Sequence, residues 1–571
     1  MLRAFAVLAV GLVLLVPHGL GDVTNPGGIQ EGLLGVLDAL DGPATPGARS
    51  AQALTALAAA QGIQVPPLGP CPSFAQAYAR HAERVGRPVP PLPPVSPALD
   101  RALGCALGAL DEANRAHDLV FAGVDATTRT KLYFSEDDPS PELLSVLAGR
   151  NGLPLLVAAI HVAQAVDEAL ALLPELSEPM SGEGLDLAPI VRFEPTGAQT
   201  YTSNYALVLD LEGDDTYDNH AGGVFAQVGN AFYDVEPGSE SARAGPIQGW
   251  NAGVGGQTQD ADVVLSSSLV IDVSGNDTYG VKHEPRMKDA TAGCGTEPRV
   301  ALVGTIGAGI LGVGMAFDLS GNNTFIGRTQ SQGAGHVFGT GLLYTGPGRD
   351  TFEAVRGAQG SGLLGGYGLL INEGGDDEYR LAFPEGGVFN GDRRFCDADA
   401  RYGQGGNFDR KDGPFFPQVG ILADLDGDDT YVSPHLSQGF SQGHGFGLLF
   451  DATGNDAYTS GDMAQGAGHG RVVEFDPQAI WSGGLGVLLD RAGDDAYNVS
   501  TNGQGWGFGK LLDDAVPPTT DLGETLLWAV HRDEAVGLLL DASGSDSYTR
   551  PGRGDGAHGV DGTLGVFLDS A

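Results

Sequence analysis

Basic side chains are scarce in this chain compared with its acidic ones. The 571 residues include 31 lysines and arginines against 72 aspartates and glutamates, a formal net charge of −41 at pH 7. A chain that lacks a cationic surface does not bind nucleic acid phosphates through bulk electrostatics, so we expect no nucleic-acid partner. The same charge favours solubility and attracts cations. An apolar content of 42% excludes a wholly disordered chain.

Long apolar runs are also lacking, apart from one near the N-terminus. Residues 4–16 form an apolar run that is too short to span a membrane but has the length of a signal-peptide core. Gly19 and Gly21 place small residues before a cleavage point at Asp22, so residues 1–21 are predicted to be a signal peptide. A short uncleaved anchor is the alternative. We therefore expect an exported protein, extracellular, at the cell surface or periplasmic, with no integral membrane span after cleavage.

Cysteine is rare, and its four residues include no CxxC pair. This excludes the common zinc and redox motifs. In an exported protein the cysteines are candidates for disulfides instead. Cys71 and Cys105 lie in the N-terminal region, and Cys294 and Cys396 lie in the glycine-rich region that follows. Pairing within each region is the simplest of the three connectivities, so the sequence predicts Cys71–Cys105 and Cys294–Cys396 disulfides.

The common catalytic motifs are absent as well. The sequence contains no G-x-S-x-G nucleophile turn and no P-loop, and its many G-x-G strings belong to a repeat rather than to a dinucleotide-binding turn. The residues therefore indicate no particular enzymatic chemistry.

Residues 22–195 have the pattern of an all-α domain. Ser96 followed by Pro97 is a typical helix start, because serine caps the first turn and proline fits the first helical position. The proline-rich segment 87–97 is predicted to be an extended linker between two helices. The predicted helices cover residues 29–40, 51–61, 73–85, 97–114, 141–147 and 155–173.

What the chain has in excess is glycine, with 90 residues, arranged in an internal repeat. Short apolar segments recur with a base spacing of 27 residues, lengthened in places by insertions. After nine of the ten segments comes a turn of the form x-x-G-x-D-x-aromatic, with Asn323 replacing the aspartate once. A Gln-Gly dipeptide follows 14 residues after the segment's last residue in several copies, as at Gln332 and Gln438. The segments are 206–210, 268–272, 314–318, 341–345, 368–372, 420–424, 447–451, 486–490, 537–541 and 565–569.

This repeat predicts a parallel β-solenoid of about ten coils over residues 200–571, and the whole chain is then an α + β multidomain protein. Like positions should stack about 4.8 Å apart, so the aromatic residues should form a column and the glutamines an amide ladder. Both faces of the apolar strand should be buried, because a bare outer stripe would be large for a soluble protein. The helical domain is the nearest element that could cover it.

The aspartates of the turn are the candidate metal ligands. Two unit charges about 4.8 Å apart repel by about 3–4 kcal/mol at an effective dielectric near 20, so a column of carboxylates needs relief. One form of relief is a bound cation, of which calcium fits carboxylate and carbonyl oxygens. The other is local hydrogen bonding of the aspartate side chains to the turn backbone. Six turns carry both acids, namely Asp210 with Asp215, Asp272 with Asp277, Asp424 with Asp429, Asp451 with Asp456, Asp490 with Asp495 and Asp541 with Asp546.

The G-x-D-x-aromatic core, as in Gly275–Tyr279 and Gly454–Tyr458, resembles the G-G-x-G-x-D-x-U-x repeat of the calcium-binding RTX β-roll. The resemblance covers about eight residues of each unit. It implies that the glycine–aspartate turns bind Ca²⁺ between coils and that the following apolar residue enters the core.

Three functions remain open at this point. The first is an exported structural or surface-associated solenoid with an adhesive, spacer or binding role, stabilised by calcium, with a glycan or surface partner or with self-association. The second is a binding module for a glycan or a cation. The third is a polysaccharide-active lyase or hydrolase of the parallel β-helix type, its cleft built by insertions at 232–247, 280–300 and 380–402. Its unranked acid candidates are Asp260, Asp262, Asp392, Asp397 and Asp399.

Overall fold

The structure is a computed structural model. It describes residues 26–176, 184–225, 265–280, 304–381, 403–407, 418–508, 535–549 and 564–569, apart from gaps at 126–127, 130–131, 133–144, 148, 220, 328–329, 355, 443–444, 470, 476–477 and 483. The described strands form a parallel solenoid-like stack that follows an N-terminal helical region. The helices are α1 (Pro26–Asp41), α2 (Pro46–Ala60), α3 (Phe74–Arg84), α4 (Pro97–Val120), α5 (Leu153–Leu170) and the short α6 (Leu173–Leu176).

Helix starts follow the local sequence signals. Ser96 caps α4, its hydroxyl accepting a hydrogen bond from the Leu99 N–H at 3.1 Å, and Pro97 is the first helical residue. Ser73 and Gln76 form a reciprocal capping box at the start of α3. Such caps satisfy the free N–H groups of a first turn and are worth about 1 kcal/mol each. The predicted helix over 141–147 falls mostly outside the described residues.

Helix α5 is long and apolar enough to cross a membrane by length and composition. In the structure it packs against α2 and α4 on one side and against the solenoid on the other. Most of its residues are therefore buried inside the protein, with 61% of the apolar window covered. Its apolar character is accounted for by its place in the core of the helical region.

A disulfide joins Cys71 to Cys105, with 4.6 Å between their Cα atoms. It ties the linker before α3 to the middle of α4 and matches the pairing that the sequence predicts within this region. Cys294 and Cys396, the other predicted pair, lie outside the described residues, as do the predicted signal peptide and nearly all of the three insertions.

The solenoid has three faces, each made by one kind of strand. Sheet A contains, in spatial order, β1 (Leu185–Leu187), β2 (Val191–Glu194), β4 (Leu207–Asp210), β7 (Ser267–Asp272), β10 (Val313–Asp318), β13 (Thr340–Thr345), β16 (Tyr367–Asn372), β18 (Gln418–Asp424), β21 (Gly445–Asp451), β26 (Leu485–Asp490), β29 (Val536–Asp541) and β31 (Leu564–Asp569). Sheet B contains β3 (Thr200–Tyr201), β5 (Thr216–Tyr217), β8 (Thr278–Tyr279), β11 (Thr324–Ile326), β14 (Thr351–Ala354), β17 (Glu378–Leu381), β19 (Thr430–His435), β22 (Ala457–Ala464), β27 (Ala496–Gly503) and β30 (Ser547–Thr549).

The third face is made of very short strands. One row contains β6 (Val224–Phe225), β9 (Gly309–Ile310), β12 (Gly335–His336) and β15 (Gly362–Leu363), and a second contains β20 (Ser441–Gln442), β23 (Gly468–His469) and β28 (Gly507–Phe508). Asn407 bridges the two rows through pairings with Gly362 and Ser441. A separate antiparallel hairpin is formed by β24 (Arg471–Phe475) and β25 (Gln478–Ser482).

Neighbouring coils align in the register that the repeat predicts. In sheet A the last residue of each apolar strand pairs with the last residue of the next, so Asp210 lies opposite Asp272 and Asp451 opposite Asp490. In sheet B the aromatic residues stack in a column with ring centroids 4.5–4.9 Å apart. The predicted aromatic column is confirmed.

The solenoid begins one coil earlier than the repeat pattern predicts. Glu194 pairs with Asp210 in sheet A, and Tyr201 stacks on Tyr217 in sheet B. Residues 194–201 keep the glycine and the tyrosine of the turn, but Glu194 stands in place of the lead aspartate and Gln199 in place of the second acid, so the pattern does not include them. The solenoid-like strands therefore begin at Leu185, inside the segment that the sequence assigns to the helical domain.

Both faces of sheet A are buried, as predicted, and they belong to different cores. Alternate residues such as Leu343 and Leu449 point inward and pack on the aromatic column. The intervening residues, such as Leu342 and Phe450, point outward into a core that includes the helices. The helical region thus covers the apolar outer side of the sheet, because a strand buried on one side alone would leave that stripe in water.

A buried arginine connects the helical region to the solenoid. Arg49 of α2 donates to the Tyr344 hydroxyl at 3.3 Å and to the Glu373 carboxylate at 2.8 Å. The Tyr344 hydroxyl also donates to Glu373. Arg49 is only 9% exposed, so these bonds are shielded from water.

We expect Arg49→Met to lower the free energy of unfolding by about 1–3 kcal/mol, since it leaves the Glu373 carboxylate and a buried hydroxyl without their cation. The control is Arg101→Met, which removes an exposed pair with Glu168 elsewhere in the helical region. An exposed pair is worth under about 1 kcal/mol. Urea denaturation compares the two variants, and equal midpoints would contradict the role of Arg49.

The glutamines of the Gln-Gly corners form a ladder of a different kind from the one predicted. Each side-chain amide donates to backbone carbonyls of two coils rather than to the next glutamine. Gln332 Nε2 donates to the Phe325 carbonyl at 2.9 Å and to the Glu353 carbonyl of the next coil at 3.0 Å. The amide ladder between glutamines is therefore wrong, because the stacked carbonyls lie closer to each amide group than the neighbouring glutamine does. The same pattern recurs at Gln359, Gln404, Gln438 and Gln465.

Candidate metal centre in the turns of the solenoid

The turn between sheets A and B places two acids of each coil side by side. The first, which we call the lead residue, is the last residue of the sheet A strand, and the second lies five positions later, just before the sheet B strand. In the coil of Asp451 and Asp456 both side chains are at most 1% exposed. The tight glycine turn folds the second acid back toward the first. The turn therefore builds a column of paired carboxylates inside the protein.

One oxygen of each second acid is used in a ladder along the solenoid axis. The Asp429 N–H donates to Asp456 Oδ1 at 2.7 Å, and the Asp456 N–H donates to Asp495 Oδ1 at 2.7 Å. The same bond recurs at the other coils, since the second acid always accepts from the equivalent residue of the preceding coil. The donor–acceptor pairs are Asp215–Asp277, Asp277–Asn323, Asn323–Asp350, Asp350–Asp377, Asp377–Asp429 and Asp495–Asp546.

One oxygen of the lead acid is bound by a tyrosine of the aromatic column. Tyr431 of one coil donates its hydroxyl to Asp451 Oδ2 of the next at 2.7 Å, and Tyr379 donates to Asp424 Oδ2 at 2.6 Å. The predicted column of aromatics is thus also a column of hydrogen-bond donors, which the sequence reasoning missed. The further pairs are Tyr201–Asp210, Tyr217–Asp272 and Tyr458–Asp490.

The remaining carboxylate oxygens converge between coils. In each of five groups, a lead acid, the second acid of its own coil and the second acid of the preceding coil have oxygens within 4.8 Å of one another. These buried clusters could hold a metal ion. The groups, which we call triads, are Asp215/Asp272/Asp277, Asp377/Asp424/Asp429, Asp429/Asp451/Asp456, Asp456/Asp490/Asp495 and Asp495/Asp541/Asp546.

Four of the triads have one unpartnered oxygen from each of their three acids. In the triad of Asp429, Asp451 and Asp456, the atoms Asp429 Oδ2, Asp451 Oδ1 and Asp456 Oδ2 find no hydrogen-bond donor within the described part of the chain. Buried polar atoms are nearly always satisfied, so three convergent acceptors without donors indicate that something else belongs there. The other three of these triads are Asp215/Asp272/Asp277, Asp456/Asp490/Asp495 and Asp495/Asp541/Asp546.

In the fifth triad, Asp377/Asp424/Asp429, two of the three acids have donors within the described residues, and only Asp429 Oδ2 is left without one. Asn372 Nδ2 donates to Asp377 Oδ2 at 2.7 Å, and the Asp426 N–H donates to Asp424 Oδ1 at 3.2 Å. A similar amide serves the coil of Asp318, where Asn323 Nδ2 donates to Asp318 Oδ1 at 2.9 Å. Asparagine thus supplies in these coils the positive end that the four open triads lack.

The structure brings together most, but not all, of the predicted ligands. Eleven of the twelve aspartates lie in triads, and Asp210 does not. Its carboxylate instead accepts from the Tyr201 hydroxyl and from the Glu212 N–H. Asp377 is a triad member that the sequence reasoning missed, because it considered only coils with both acids and each triad takes its third carboxylate from the preceding coil.

The tyrosine donors also have a signal in the sequence. The aromatic residue is tyrosine where the next lead residue is an acid, and phenylalanine where it is not. Phe325 precedes Thr345 and Phe352 precedes Asn372, the only two non-acidic lead residues from Asp210 to Asp569. This covariation between repeats indicates the pairing of hydroxyl and carboxylate between coils, whereas Tyr497 and Tyr548 donate to the lead acids of their own coils, Asp490 and Asp541.

Burial dominates the ionisation of these acids. Loss of solvent raises the pKa of Asp272 and Asp451 well above the ordinary value, and neighbouring carboxylates raise it further. The same causes raise the pKa of other triad members to about 7 at Asp277, Asp490 and Asp541 and to about 8 at Asp456 and Asp495. Burial thus disfavours the charged form of these carboxyls in the folded state, and either a proton or a bound cation would offset that cost.

Comparison of the chain with protein-family models, with curated proteins and with solved structures finds no match in any of the three. The functional assignment therefore depends on the geometry of the turns.

Proposed function

We propose that this protein is an exported structural solenoid whose coils are held together by Ca²⁺ in the four open triads, with a spacer, adhesive or binding role at a surface. The observation that carries the proposal is the convergence of three buried, unpartnered carboxylate oxygens at each of these triads. Each triad joins two successive coils, so a cation there links them directly.

Calcium suits the donor set better than other common ions. The donors are all oxygen, which favours hard cations over zinc or copper. Three carboxylates carry up to three negative charges in a site of low dielectric, which favours a divalent ion over sodium. Mg²⁺ demands a near-ideal octahedron and retains several waters, whereas Ca²⁺ accepts irregular geometry and 6–8 oxygens. The residues that would hold it are the three acids of each open triad, with carbonyls of the glycine turn beside them.

A cation requirement is consistent with a structural role outside the cell. Extracellular calcium modules bind in the range of about 10⁻⁴–10⁻³ M, which matches the ion's availability there. The repeat specifies uniform coils that keep one register over the ten strands of sheet B. At about 4.8 Å per step, these strands form a stack about 45 Å long. Such a rod presents the same residue rows at regular intervals, which suits a repetitive surface, a glycan or a second copy.

The enzyme alternative gains no support from the described residues. Its five acid candidates lie outside them. A pocket of about 470 Å³ in the helical region contains two acids, Asp100 and Glu168. Both are engaged structurally, because Asp100 accepts from the Phe74 N–H and Glu168 pairs with Arg101. Neither is free to act as the acid or base of a hydrolase.

Terbium luminescence tests the calcium proposal. Tb³⁺ takes calcium sites, and the tyrosine column beside the triads should sensitise its emission. We expect about four ions per chain, displaced by calcium. Asp456→Asn should remove about two of them, because Asp456 belongs to two open triads. The matched control is Asp428→Asn, an exposed aspartate of the preceding turn that lies outside every triad.

Absence of calcium-displaceable emission would overturn the proposal. An equal loss in the Asp428→Asn variant would show that the emission reports general acidity instead of the triads. Calorimetric titration with calcium gives the stoichiometry independently.

A further inference from the structure

The triads are not distributed evenly along the solenoid. Three consecutive coils have lead residues Asp318, Thr345 and Asn372, and we call them the middle coils. Among the described residues none of these coils contributes a lead acid to a triad. The open triads lie on either side, one before the middle coils and three after them.

We propose that the cation requirement is confined to the C-terminal coils, which open when the cation is removed while the rest of the protein stays folded. The inference rests on the proposed function, since it needs cations in the open triads. We call the coils with lead residues Asp451, Asp490 and Asp541 the C-terminal arm.

The middle coils meet some of their turn acceptors with their own side-chain amides, whereas Asp318 Oδ2 and Asp350 Oδ2 have no hydrogen-bond donor within the described residues. Asn323 donates to Asp318, and Asn372 donates to Asp377. The aromatic residues that precede Thr345 and Asn372 are Phe325 and Phe352, so no hydroxyl is left without an acid. Two of the middle coils thus use an internal amide, and within the described residues none of the three supplies a lead acid to a group of convergent carboxylates that could hold an ion.

The helical region is attached most firmly to the coils before the arm. The Arg49 bonds to Tyr344 and Glu373 connect α2 to two middle coils. Near the first open triad, Asn114 of α4 accepts from the Ser266 N–H at 2.6 Å, and the Ser267 hydroxyl donates to the Leu110 carbonyl at 2.9 Å. These buried bonds hold that coil independently of an ion.

The arm shares the apolar core of the helical region through residues such as Phe450 and Leu540, but its polar attachment is weaker and its triads are coupled to one another. One polar link between the arm and the helical region is the Arg491–Asp41 pair, whose side chains are about one-third exposed, and such pairs contribute little. The three triads of the arm share acids, since Asp456 and Asp495 each belong to two. Opening of one coil therefore removes a shared ligand from the next triad, and the arm should lose its ions together.

Hydrogen exchange of the full chain at pH 7.5, with calcium and with chelator, tests the inference. We expect peptides over β21, β26 and β29 to lose protection at least about 100-fold in chelator. Peptides over β13 and β16 should change by less than about threefold. Loss of protection throughout the chain would overturn the inference but leave the calcium proposal standing. No change anywhere, together with no displaceable terbium emission, would defeat the proposed function itself.

A transplant of the middle-coil device gives a second test. The double variant Tyr431→Phe/Asp451→Asn gives one coil step of the arm the residues of the middle coils. Its new phenylalanine and asparagine take the places of Phe352 and Asn372, and Asp456 takes the place of Asp377. We expect it to restore at least tenfold protection to β21 in chelator. Asp428→Asn, which changes an exposed turn residue, should restore none. If the transplant gives no protection, an amide does not replace the cation and the inference is wrong.

Discussion

In the presence of chelator, the unfolding temperature of this protein should fall as the pH rises from 6.5 to 8.5, and millimolar calcium should abolish the fall. The triad acids have folded-state pKa values of about 7 to 8 at Asp277, Asp490, Asp541, Asp456 and Asp495, whereas an aspartate in an unfolded chain titrates near 4. Between these values the folded state holds more protons than the unfolded state. Stability is therefore present at low pH and is lost as the pH rises through the folded pKa.

The size of the effect follows from proton linkage. For each excess proton that the folded state holds, the free energy of unfolding falls by about 1.4 kcal/mol per unit rise in pH. Several acids titrate in the same window, so we expect a fall of at least about 5 °C in chelator. A site filled at a hundredfold excess of calcium over its dissociation constant adds about 2.7 kcal/mol. Scanning calorimetry at four pH values, with calcium and with chelator, measures both effects.

One histidine titrates in the same direction and provides an internal reference. Hydrogen bonding to Glu112 raises the pKa of His161 above its ordinary value, so its contribution is also lost as the pH rises. It lies in the helical region, bonded to Glu112 and the Pro66 carbonyl and away from the triads, so calcium should not change it. A pH dependence that calcium leaves intact would come from groups outside the open triads, such as His161, Asp210 and Asp350, and would contradict the triads as its source.

Gly427→Ala should be among the most damaging single substitutions in the solenoid. Gly427 forms the turn between Asp424 and Asp429 with φ of +139°, a conformation that alanine avoids. A Cβ atom there would lie 1.5 Å from the Gly375 carbonyl oxygen of the preceding coil. Backbone atoms at that distance have to move, and the stacked coil on either side resists the movement. We expect Gly427→Ala to lower the free energy of unfolding by more than about 4 kcal/mol, because only severe defects such as backbone clashes have effects of that size.

The control for this substitution separates steric clash from backbone strain. Gly62, after α2, also has positive φ, at +73°, but a Cβ there meets nothing within 4 Å. Gly62→Ala should cost only about 1 kcal/mol, from the left-handed backbone alone. Urea denaturation of both variants gives the comparison. Similar midpoints would show that the coils can separate to admit a side chain and that the tight stacking of the turns is not required.

Much of the solenoid's structure can be predicted from the sequence, because each repeat unit has the same structure as the one before it, shifted by one step along the solenoid axis. When successive units have the same length and pattern, the only regular arrangement places like residues in register, so the aromatic column and the strand register can be predicted from spacing alone. The burial of both faces of sheet A follows too, because residues such as Leu342 and Leu343 are apolar on both sides of one strand. The first coil is missed because Glu194 replaces the lead aspartate and Gln199 replaces the second acid.

Only the tertiary structure determines which contacts and hydrogen bonds the stacked residues make between coils. The sequence shows Asp451 beside Asp456 in one coil, but the third acid of the triad, Asp429, comes from the coil before. The Tyr431 hydroxyl reaches Asp451 across the same step. The glutamine amides bind carbonyls of adjacent coils for the same reason. Spacing within the chain determines which residues form a column, whereas distances between columns depend on how the turn folds and how closely coils approach, which only the packed backbone specifies.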